Sequence, residues 1–343
     1  MKKFLSISFI LFSFSFSEIC DLNNDDNLNI VDIVIMVNSI INDGAEFCDM
    51  NGDGELNVID VVQLVNTILY GFNIEFINIE EGPYRVPGSN EILNLDYNYR
   101  IGKYEITNQQ YLSYLNAAIA NNQIWLDNCI DSIGEECVNG LFLDNDLNIE
   151  KSFFVLGNPR IYEINDYNFG IINWNGTEFE IEDAFYLDHP VINVSWFGAN
   201  QFAEYNGFRL PNYNEWIKAA RGETNSSWPW GGGGNMHLKI NVLNSQYNTP
   251  VGFEYPWPDG TTPVGFYNVQ NNMIDNASSF GVYDMIGNVW EWINEPVVFN
   301  DNIKKSMGGA WDWGLYNSRL KWISLYTTGQ PTWSTGFRVV QDN

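Results

Sequence analysis

Tyr283–Trp292 has the sequence YDMIGNVWEW, in which two tryptophans stand two residues apart. In a β-strand, residues at this spacing point to the same face. The indoles of Trp290 and Trp292 therefore share one face, and Val289 and Glu291 share the other. Because bulky indoles are usually buried, the segment predicts a strand that contributes two tryptophans to a core.

Further segments with equally specific sequences lie on both sides of this strand, in a fixed order along the chain. They are Ile101–Asn108, His189–Trp196, Phe208–Trp216, Ala219–Gly222, Gly308–Trp311 and Gly336–Arg338. In order and spacing, these segments and Tyr283–Trp292 resemble the sulfatase-modifying-factor, or formylglycine-generating-enzyme, family. The resemblance covers roughly residues 80–341, and it implies a fold that is related to C-type lectins and poor in regular structure.

The pattern of secondary structure in the same region predicts an α+β domain. Short alternating strands contain many Gly, Trp and Tyr residues, and helical spacing occurs in three places. These three helices are expected at about Asn108–Ala120, Phe197–Asn206 and Asn212–Arg221. Thr107 is expected to cap the first helix, and Glu215 is expected to pair with Arg209 or Arg221.

The resemblance also implies one or two calcium ions in this domain. Family members hold one ion with two carboxylates and two backbone carbonyls, and a second ion with an Asn side chain, the next carbonyl and a further ligand. Hard oxygen ligands of these kinds suit calcium. The matching positions are the side chains of Asp284 and Glu291 and the carbonyls of Gly287 and Val289 for the first ion, and Asn241, Val242 and, as a candidate, Asp259 for the second.

The positions of the family's copper ligands carry other residues in this chain. The resemblance implies that oxidase members hold copper with two cysteine thiolates five residues apart, just after a Gly-Gly motif. Counted from the Gly-Gly pair at 308–309, those positions hold Trp313 and Ser318, and no cysteine follows Cys137. Cu(I) needs soft thiolate ligands. We therefore expect no copper, and we assign no catalytic residue.

Two functions from different classes remain open for the domain. The first is a binding module, in which a lectin-like scaffold presents an aromatic pocket to a peptide or a glycan. The second is an enzyme of the same family that acts on a peptide thiol, as an oxidoreductase or with a related activity, through ligands other than the missing cysteines. Because fold alone does not carry function, the loss of those cysteines favours binding. The pocket residues are Trp311, Trp313, Tyr316, Ser318 and Arg319.

The first part of the chain contains two copies of a repeat that are 28 residues apart, Cys20–Asp32 and Cys48–Asp60. In each copy, Asp, Asn and Asp at positions 1, 3 and 5 and Asp at position 12 supply the oxygens that a calcium ion needs, and an apolar helix follows. Two calcium ions are therefore expected in this domain, and they couple metal binding to folding. The ligands are Asp21, Asn23, Asp25, Asn27, Asn29 and Asp32 in the first loop and Asp49, Asn51, Asp53, Glu55, Asn57 and Asp60 in the second.

The duplicated loop-helix units resemble a type I dockerin. In that family the module binds a cohesin domain on another protein, and the residues at loop positions 10 and 11 help to choose the partner. Those positions hold Ile30 and Val31 in the first loop and Val58 and Ile59 in the second, where many dockerins carry a hydroxyl pair. A cohesin-type partner is therefore expected, although the repeated apolar pair could instead seal the module against its own chain.

The amino terminus predicts export. Two lysines precede an apolar stretch that is shorter than the roughly 20 residues of a membrane span, and small residues follow it, so residues 1–17 read as a cleaved signal peptide. A secreted protein meets an oxidising environment, where disulfides are the default. The natural pairs are Cys20 with Cys48 and Cys129 with Cys137.

Composition excludes several classes of function. The chain has 343 residues, with 16 Lys and Arg against 43 Asp and Glu, for a net charge of −27. This charge argues against nucleic-acid binding, and two histidines cannot form a three-histidine metal site. No later segment predicts a membrane span. The expected order is a signal peptide at 1–17, a dockerin-like domain at 18–72, a linker at 73–79 and the α+β domain at 80–343.

Overall fold

A computed structural model describes most of the chain beyond residue 73 and parts of the repeat region. The described residues are 20, 22–23, 29–42, 48, 56–58, 60–62, 64–65, 74–130, 136–144, 147–156, 172–181, 183–232, 239–242, 260–297, 300–315, 318–329 and 331–342. Several predicted features lie outside the described residues, namely the signal peptide at 1–17, Asp21, Asp25, Asn27, Asp49, Asn51, Asp53, Glu55, Ile59, Asp259 and Tyr316.

The chain divides into two compact units, Met1–Phe72 and Asn73–Asn343. In the first unit, helix α1 spans Ile30–Ile41, and residues 58, 60–62 and 64–65 are also helical. The Asn29 side chain caps α1 by accepting from the Val31 N–H. The Cys20–Cys48 disulfide has the predicted pairing, and it packs with Met36 and Leu64 in the core of this unit.

The second unit contains fourteen named strands and three α-helices within the described residues. The helices are α2 (Asn108–Ala120), α3 (Trp196–Tyr205) and α4 (Tyr213–Arg221). The strands are β1 (Phe76–Ile79), β2 (Gly82–Arg85), β3 (Ile92–Leu95), β4 (Tyr99–Gly102), β5 (Ile124–Asn128), β6 (Glu136–Asp144), β7 (Leu147–Val155), β8 (Ile172–Trp174), β9 (Phe179–Ile181), β10 (Trp290–Val297), β11 (Asn300–Met307), β12 (Ile323–Thr327), β13 (Thr335–Phe337) and β14 (Val340–Asp342). The unit is thus mostly sheet with few helices, which agrees with the α+β prediction.

The largest sheet has four strands in the order β12-β11-β10-β13. β10 and β13 are parallel, and the other pairs are antiparallel. On β13, Thr335 lies opposite Trp290 and Gly336 lies opposite Glu291. On β11, Met307 at the end of the strand also lies opposite Glu291. The first residues of β10 and β13 therefore lie beside the last residue of β11, at one end of the strands. The loops that leave the strands at this end form the candidate site.

A three-stranded sheet joins the two ends of the second unit, in the order β1-β4-β14. Its first strand occupies residues 76–79, which the sequence assigned to the linker at 73–79. That assignment was wrong for these four residues, because Phe76–Ile79 pairs antiparallel with β4 and so belongs to the sheet. Smaller sheets are formed by β2-β3, β5-β6-β7 and β8-β9.

The three predicted helices of the second unit are confirmed to within one residue at each end. The Thr107 side chain caps α2 by accepting from the Gln110 N–H, as predicted. Trp216 of α4 is fully buried in a core that also contains Tyr99, Met285 and Ile293. No helix among the described residues is both long enough and apolar enough to cross a membrane.

The second disulfide joins Cys129 to Cys137, as predicted. Cys129 follows β5 and Cys137 lies in β6, so the bond closes the hairpin between these strands. Both sulfurs are buried and pack with Val155 of β7. All four cysteines are therefore in disulfides, and no free thiol remains.

Candidate functional site

The site is built around the first residues of β10. Trp290 and Trp292 are 2% and 0% exposed, so the prediction of two core tryptophans is confirmed. The Trp292 indole donates to the Val194 carbonyl over 3.0 Å. The Trp290 ring stands edge-on against the Trp313 ring, with centroids 5.6 Å apart. Trp290 thus supports a side chain that lies on the surface.

Glu291, which lies between these tryptophans, forms a buried ion pair with Arg338. Arg338 Nε donates to Oε2 over 2.6 Å and Nη2 donates to Oε1 over 2.7 Å. The remaining guanidinium hydrogens reach the carbonyls of Gly102, Lys103 and Tyr283, so every donor of Arg338 is used. Both side chains have no solvent exposure, and the pair ties three segments of the chain together.

Two further buried carboxylates lie near this pair. Asp284 accepts from Asn276 Nδ2 over 2.9 Å and from the Gly265 N–H over 2.5 Å, while Glu105 accepts from Asn288 Nδ2 over 2.7 Å. Burial raises the pKa of Asp284 and raises the pKa of Glu105 well above its usual range. Three buried carboxyl groups thus surround one guanidinium, and burial disfavours the charged form of two of them.

The predicted calcium site consists of the side chains of Asp284 and Glu291 and the carbonyls of Gly287 and Val289. Carboxylate and carbonyl oxygens are the ligands that calcium prefers. In the structure, the Glu291 carboxylate already accepts hydrogen bonds from Arg338 and from the Trp216 indole. The Asp284 carboxylate accepts only from Asn276 and the Gly265 N–H, and it forms no ion pair in the part of the chain that the structure describes. Within the described residues, no three His, Cys, Asp or Glu side chains converge on one point. Calcium here would therefore depend on backbone carbonyls as well as on carboxylates.

The second predicted calcium site has one well-placed side chain. Asn241 is buried, and its Nδ2 donates to the Gly260 carbonyl over 2.8 Å. The backbone carbonyl of Asn241 accepts from the backbone N–H of Asn288 over 2.9 Å. Val242 is described, but Asp259 lies outside the described residues. This site stays a prediction from the sequence.

The two positions that match the copper ligands differ in exposure. Ser318 is fully buried, and its Oγ donates to the Gly314 carbonyl over 3.4 Å. It packs so closely under Gly309 that a Cβ at Gly309 would overlap the Ser318 side chain, and Gly309 has a φ of 81°. Trp313 is 36% exposed. A buried hydroxyl and a surface indole thus replace the two thiolates.

The predicted pocket residues are brought together only in part. Trp311 is half-buried, and its backbone N–H donates to the Asn288 backbone carbonyl over 2.9 Å. The Arg319 guanidinium lies 5.7 Å from the centre of the Trp228 ring. Ser318 lies beneath this surface and Trp313 lies on it, whereas Tyr316 is outside the described residues.

Two residues that the sequence analysis did not single out complete the surface, Asp312 and Trp333. The Trp333 indole is 37% exposed and donates to Asp312 Oδ2 over 2.9 Å. Asp312 Oδ1 and the indole N–H of Trp290 are both enclosed by the protein. Burial raises the pKa of Asp312, and hydrogen bonds from Trp333 and Ser334 oppose this rise. The sequence feature that could have indicated Asp312 is its position between two tryptophans, Trp311 and Trp313.

In the first unit, the two position-12 aspartates are buried and face their loops. Asp32 Oδ1 accepts from the Leu22 N–H over 2.8 Å and from the Asn23 N–H over 3.3 Å, and Oδ2 accepts from the Asn29 N–H over 2.8 Å. Asp60 Oδ2 accepts from the Asn57 N–H over 2.8 Å. The carboxylates therefore hold the loop backbones.

The helices of the first unit expose apolar side chains at matching positions of the repeat. Ile30 and Val34 are 69% and 53% exposed, and Val58 and Val62, which lie 28 residues later, are 67% and 40% exposed. Val31 is also exposed. Exposed apolar side chains that recur in this way are typical of a surface that contacts another protein.

Comparison with known proteins relates the second unit to one family. The sulfatase-modifying factor enzyme 1-like domain matches residues 74–343. A formylglycine-generating enzyme of Mycobacterium tuberculosis is 38% identical over 120 residues, which are 34% of this chain and 36% of that protein. The inactive C-alpha-formylglycine-generating enzyme 2 of Bos taurus is 31% identical over 129 residues, which are 36% of this chain and 38% of that protein. The chain thus spans little more than a third of the length of these relatives.

The fold also resembles solved structures. PvdO from Pseudomonas aeruginosa superposes with a TM-score of 0.52 at 17% sequence identity, and the match covers 79% of this chain and 95% of that chain. At this level of identity the likeness concerns the fold alone. It fits the expected relation to C-type lectins, and it leaves the chemistry of the site to be argued from the residues.

Proposed function

Because the chain belongs to the sulfatase-modifying factor enzyme 1-like family, we propose that it is a non-oxidase member that recognises a peptide or glycan ligand. The ligand would bind at the surface that includes Trp311, Trp313 and Arg319. A dockerin-like first unit would bind calcium and tether the protein to a cohesin-type partner. We further propose that the protein is secreted.

The observation that carries this proposal is the state of the sulfur ligands. Copper-dependent oxidation needs thiolates, yet all four cysteines are joined in disulfides and the two matching positions hold Trp313 and Ser318. Ser318 is buried, so its hydroxyl cannot meet a large substrate. One relative of similar identity is itself named as inactive, which is in keeping with a family that includes members without the oxidase activity.

The surface at this edge of the sheet supports ligand binding. Trp313 is 36% exposed and rests on the buried ring of Trp290, so it is held from beneath while its outer face is available. Large exposed aromatic rings on a rigid base are common at recognition sites because they bury much area and lose little conformational entropy. The sheet supplies that rigid base.

The first unit supports the tethering role. Asp32 and Asp60 are buried carboxylates that face their loops, and calcium would supply positive charge where the sequence offers none. The exposed Ile30, Val34 and Val58 would contact the partner. The two disulfides suit an oxidising space outside the cell.

A second candidate function is an enzyme that uses other groups at the same surface. Asp312 favours it, because a carboxyl group whose pKa is raised by burial can act as a general acid or base. This candidate needs a substrate to reach Asp312 Oδ1, which is enclosed in the structure. We therefore place it second.

The test is a copper titration of the purified mature protein, followed by oxygen-electrode measurements with a cysteine-containing peptide. A formylglycine-generating enzyme is the positive control. We expect no tightly bound Cu(I) and no peptide-dependent oxygen uptake. Stoichiometric copper binding with oxygen consumption would overturn the proposal and identify an oxidase with different ligands.

A further inference from the structure

We propose that five basic side chains and the stacked indoles of Trp228 and Trp230 form a surface that binds an acidic glycan. The proposal rests on the ligand-binding function proposed above and names the chemical class of the ligand. This basic surface shares Arg319 with the surface proposed there. Its basic residues are Arg85, Arg221, Lys239, Arg319 and Lys321.

The centre of the basic surface is a pair of stacked indoles that contacts two cations. The ring centroids of Trp228 and Trp230 are 5.6 Å apart, and the ring planes are inclined by 15°. The Arg319 guanidinium lies 5.7 Å from the centre of the Trp228 ring, and Lys239 Nζ lies 5.4 Å from the centre of the Trp230 ring. Because the faces of indole rings attract cations, the pair stabilises two positive charges close together.

Arg221 and Arg85 lie beside the loop that carries these indoles. Arg221 is the last residue of α4, and its Nε donates to the Thr224 carbonyl over 2.8 Å, in the loop that leads to Trp228. Arg221 Nη1 donates to the Arg85 carbonyl over 3.3 Å. The end of β2 is thereby joined to the loop.

Lys321 connects Arg319 to the turn that follows Arg85. It stands two residues after Arg319 in a tight turn, in which the Trp322 backbone N–H donates to the Arg319 backbone carbonyl over 2.8 Å. A Cβ added at Gly88, three residues after the end of β2, would lie 3.9 Å from Cβ and Cδ of Lys321. The five cations therefore form one continuous surface.

Arg221 is a buried charge that has no carboxylate partner among the described residues. It is 3% exposed, and its guanidinium donates to the carbonyls of Thr224 and Arg85 and to Asn225 Oδ1. Burial and the neighbouring charge of Arg85 lower its pKa. Buried charges are normally paired, and this chain has 43 acidic residues that could pair with them. An anion bound near Arg85 would supply the negative charge that this pair of arginines lacks.

Arg85 and Lys239 also form no ion pair in the part of the chain that the structure describes. Arg85 is half-buried, and it donates to the backbone carbonyls of Glu223 and Asn90 over 3.4 Å each. Glu223 enters this contact with its backbone and not with its carboxylate. Lys239 is half-buried against the Trp230 ring. Both cations therefore keep N–H donors for a ligand.

The charge of the whole chain favours a narrow anionic ligand over a large one. The net charge of −27 repels polyanions, but screening limits this repulsion to about 8 Å at physiological ionic strength. A single oligosaccharide can lie within the basic surface. A nucleic-acid duplex or an acidic globular protein would bring its charge close to the acidic remainder of the molecule.

The aromatic residues beside the cations favour a glycan over an acidic peptide. Trp313 is 36% exposed, and it is held near Arg319 because Ser318 Oγ donates to the Gly314 carbonyl over 3.4 Å and closes the loop between them. A uronic acid or a sulfated sugar carries an acid group and an apolar C–H face on the same ring, so it can contact a cation and an indole together. An acidic peptide supplies the carboxylates without such a face.

The experiment titrates the full mature chain, loaded with calcium and transferred to a buffer without free calcium, with two acidic hexasaccharides. Hexagalacturonate carries carboxylates and sulfated isomaltohexaose carries sulfate esters, so the two arms distinguish the sources of the acid group. Unsulfated isomaltohexaose is the neutral comparison, hexaglutamate is the acidic peptide and hexathymidylate is the nucleic acid. Calorimetry measures binding at about 20 mM and at about 150 mM salt.

The test variants are Lys239→Gln, Lys321→Gln and the double variant. Each single change removes one positive charge from a side chain that lies over an indole ring. Lys151→Gln is the matched control, because Lys151 Nζ lies 4.8 Å from the centre of the Phe197 ring, away from the basic surface in β7. Thermal unfolding checks that all variants fold.

We expect at least one acidic hexasaccharide to bind at up to millimolar concentration, and more weakly at the higher salt concentration. Lys239→Gln and Lys321→Gln should each weaken this binding by about twofold to fivefold, and the double variant should weaken it further. Lys151→Gln should leave it unchanged. Unsulfated isomaltohexaose should bind more weakly than its sulfated form.

Two results would overturn the basic surface, namely no binding of either acidic hexasaccharide and binding that the double variant leaves unchanged. Tighter binding of hexaglutamate or of hexathymidylate would overturn the glycan class. If unsulfated isomaltohexaose binds as tightly as its sulfated form, the ligand-binding function survives while the acidic ligand is refuted. Copper-dependent oxygen uptake would instead remove the binding function itself.

Discussion

At the scale of single residues, the second unit depends on a buried charge that is fully paired. Arg338 and Glu291 have no solvent exposure, and all donors of the guanidinium are used. Such a pair contributes little when compared with an apolar replacement of the same volume. The loss of one partner is costly, because the other charge stays buried without compensation.

The substitution Arg338→Met should therefore destabilise the protein by about 3–5 kcal/mol. It leaves Glu291 with the Trp216 indole as its remaining side-chain donor and removes the donors from three carbonyls. The matched control is Lys103→Met, which breaks the exposed pair with Glu75 and should cost about 1 kcal/mol or less. Urea denaturation measures both values. Equal losses would show that burial does not set the cost, and partial recovery in the double variant Arg338→Met/Glu291→Leu would confirm that it does.

His189 should make stability depend on pH. Burial against Phe185 and Tyr186 lowers its pKa to about 3, and Nδ1 lies 3.0 Å from the Thr261 hydroxyl. An unfolded chain binds a proton near pH 6.5 that the folded chain refuses until about pH 3, so stability falls as the pH drops below 6.5. From pH 7.5 to 5, this effect amounts to about 2 kcal/mol.

Urea denaturation across that range compares the protein with His189→Asn and with His237→Gln. His189→Asn should lose the slope that the histidine supplies, although the variant is less stable at neutral pH. His237→Gln should keep the slope. If both variants show the slope of the unmodified protein, the buried imidazole is not its cause.

At the scale of elements, helix α3 and strand β7 pack in close contact at Gly198. A Cβ at Gly198 of α3 would overlap the Phe153 carbonyl oxygen and would lie 2.8 Å from the Tyr111 hydroxyl oxygen. The same carbonyl accepts from the Ser195 N–H over 2.9 Å at the start of the helix. The backbone of β7 cannot move away without breaking this bond.

Gly198→Ala should consequently destabilise the protein by about 2–3 kcal/mol, even though alanine is the better helix former by about 1 kcal/mol. Gly232→Ala serves as the control, because an added Cβ there meets nothing within 4 Å. Thermal unfolding of the two variants is the measurement. A stabilised Gly198→Ala protein would mean that helix propensity outweighs the overlap.

The sequence predicted the helices well because their starts carry local signals. Thr107 and Asn212 are side-chain caps that stand directly before the helices α2 and α4. Strand β1 was missed, since four residues become a strand only by pairing with β4, which lies more than 20 residues later. Local patterns carry no information about such a partner.

The site was predicted less completely for the same reason. The sequence places Trp313 and Ser318 five residues apart, but only the fold buries Ser318 beneath Gly309 and leaves Trp313 on the surface. The role of Asp312 depends on Trp333, which lies 21 residues away and reaches it across a loop. Contacts of this kind require the tertiary structure.

At the scale of the whole molecule, charge is distributed unevenly between the two units. The segment Glu18–Phe72 contains 11 acidic residues and no Lys, Arg or His, so without cations it repels itself. Two calcium ions would add four positive charges and allow the loops to close around Asp32 and Asp60. In the second unit, Glu105, Asp284 and Glu291 lie around Arg338, and a calcium ion at Asp284 would add positive charge to this cluster.

Elemental analysis should therefore find three calcium ions per chain, and chelation should affect the units differently. The first unit should become sensitive to protease, because its folding is linked to the metal, whereas the second should stay folded with a lower transition temperature. Asp32→Asn/Asp60→Asn should retain one ion, and Asp96→Asn should retain all three. A protease-resistant first unit in chelator would refute the calcium loops. A count of two, with an unchanged transition of the second unit, would show that no calcium ion is bound at Asp284.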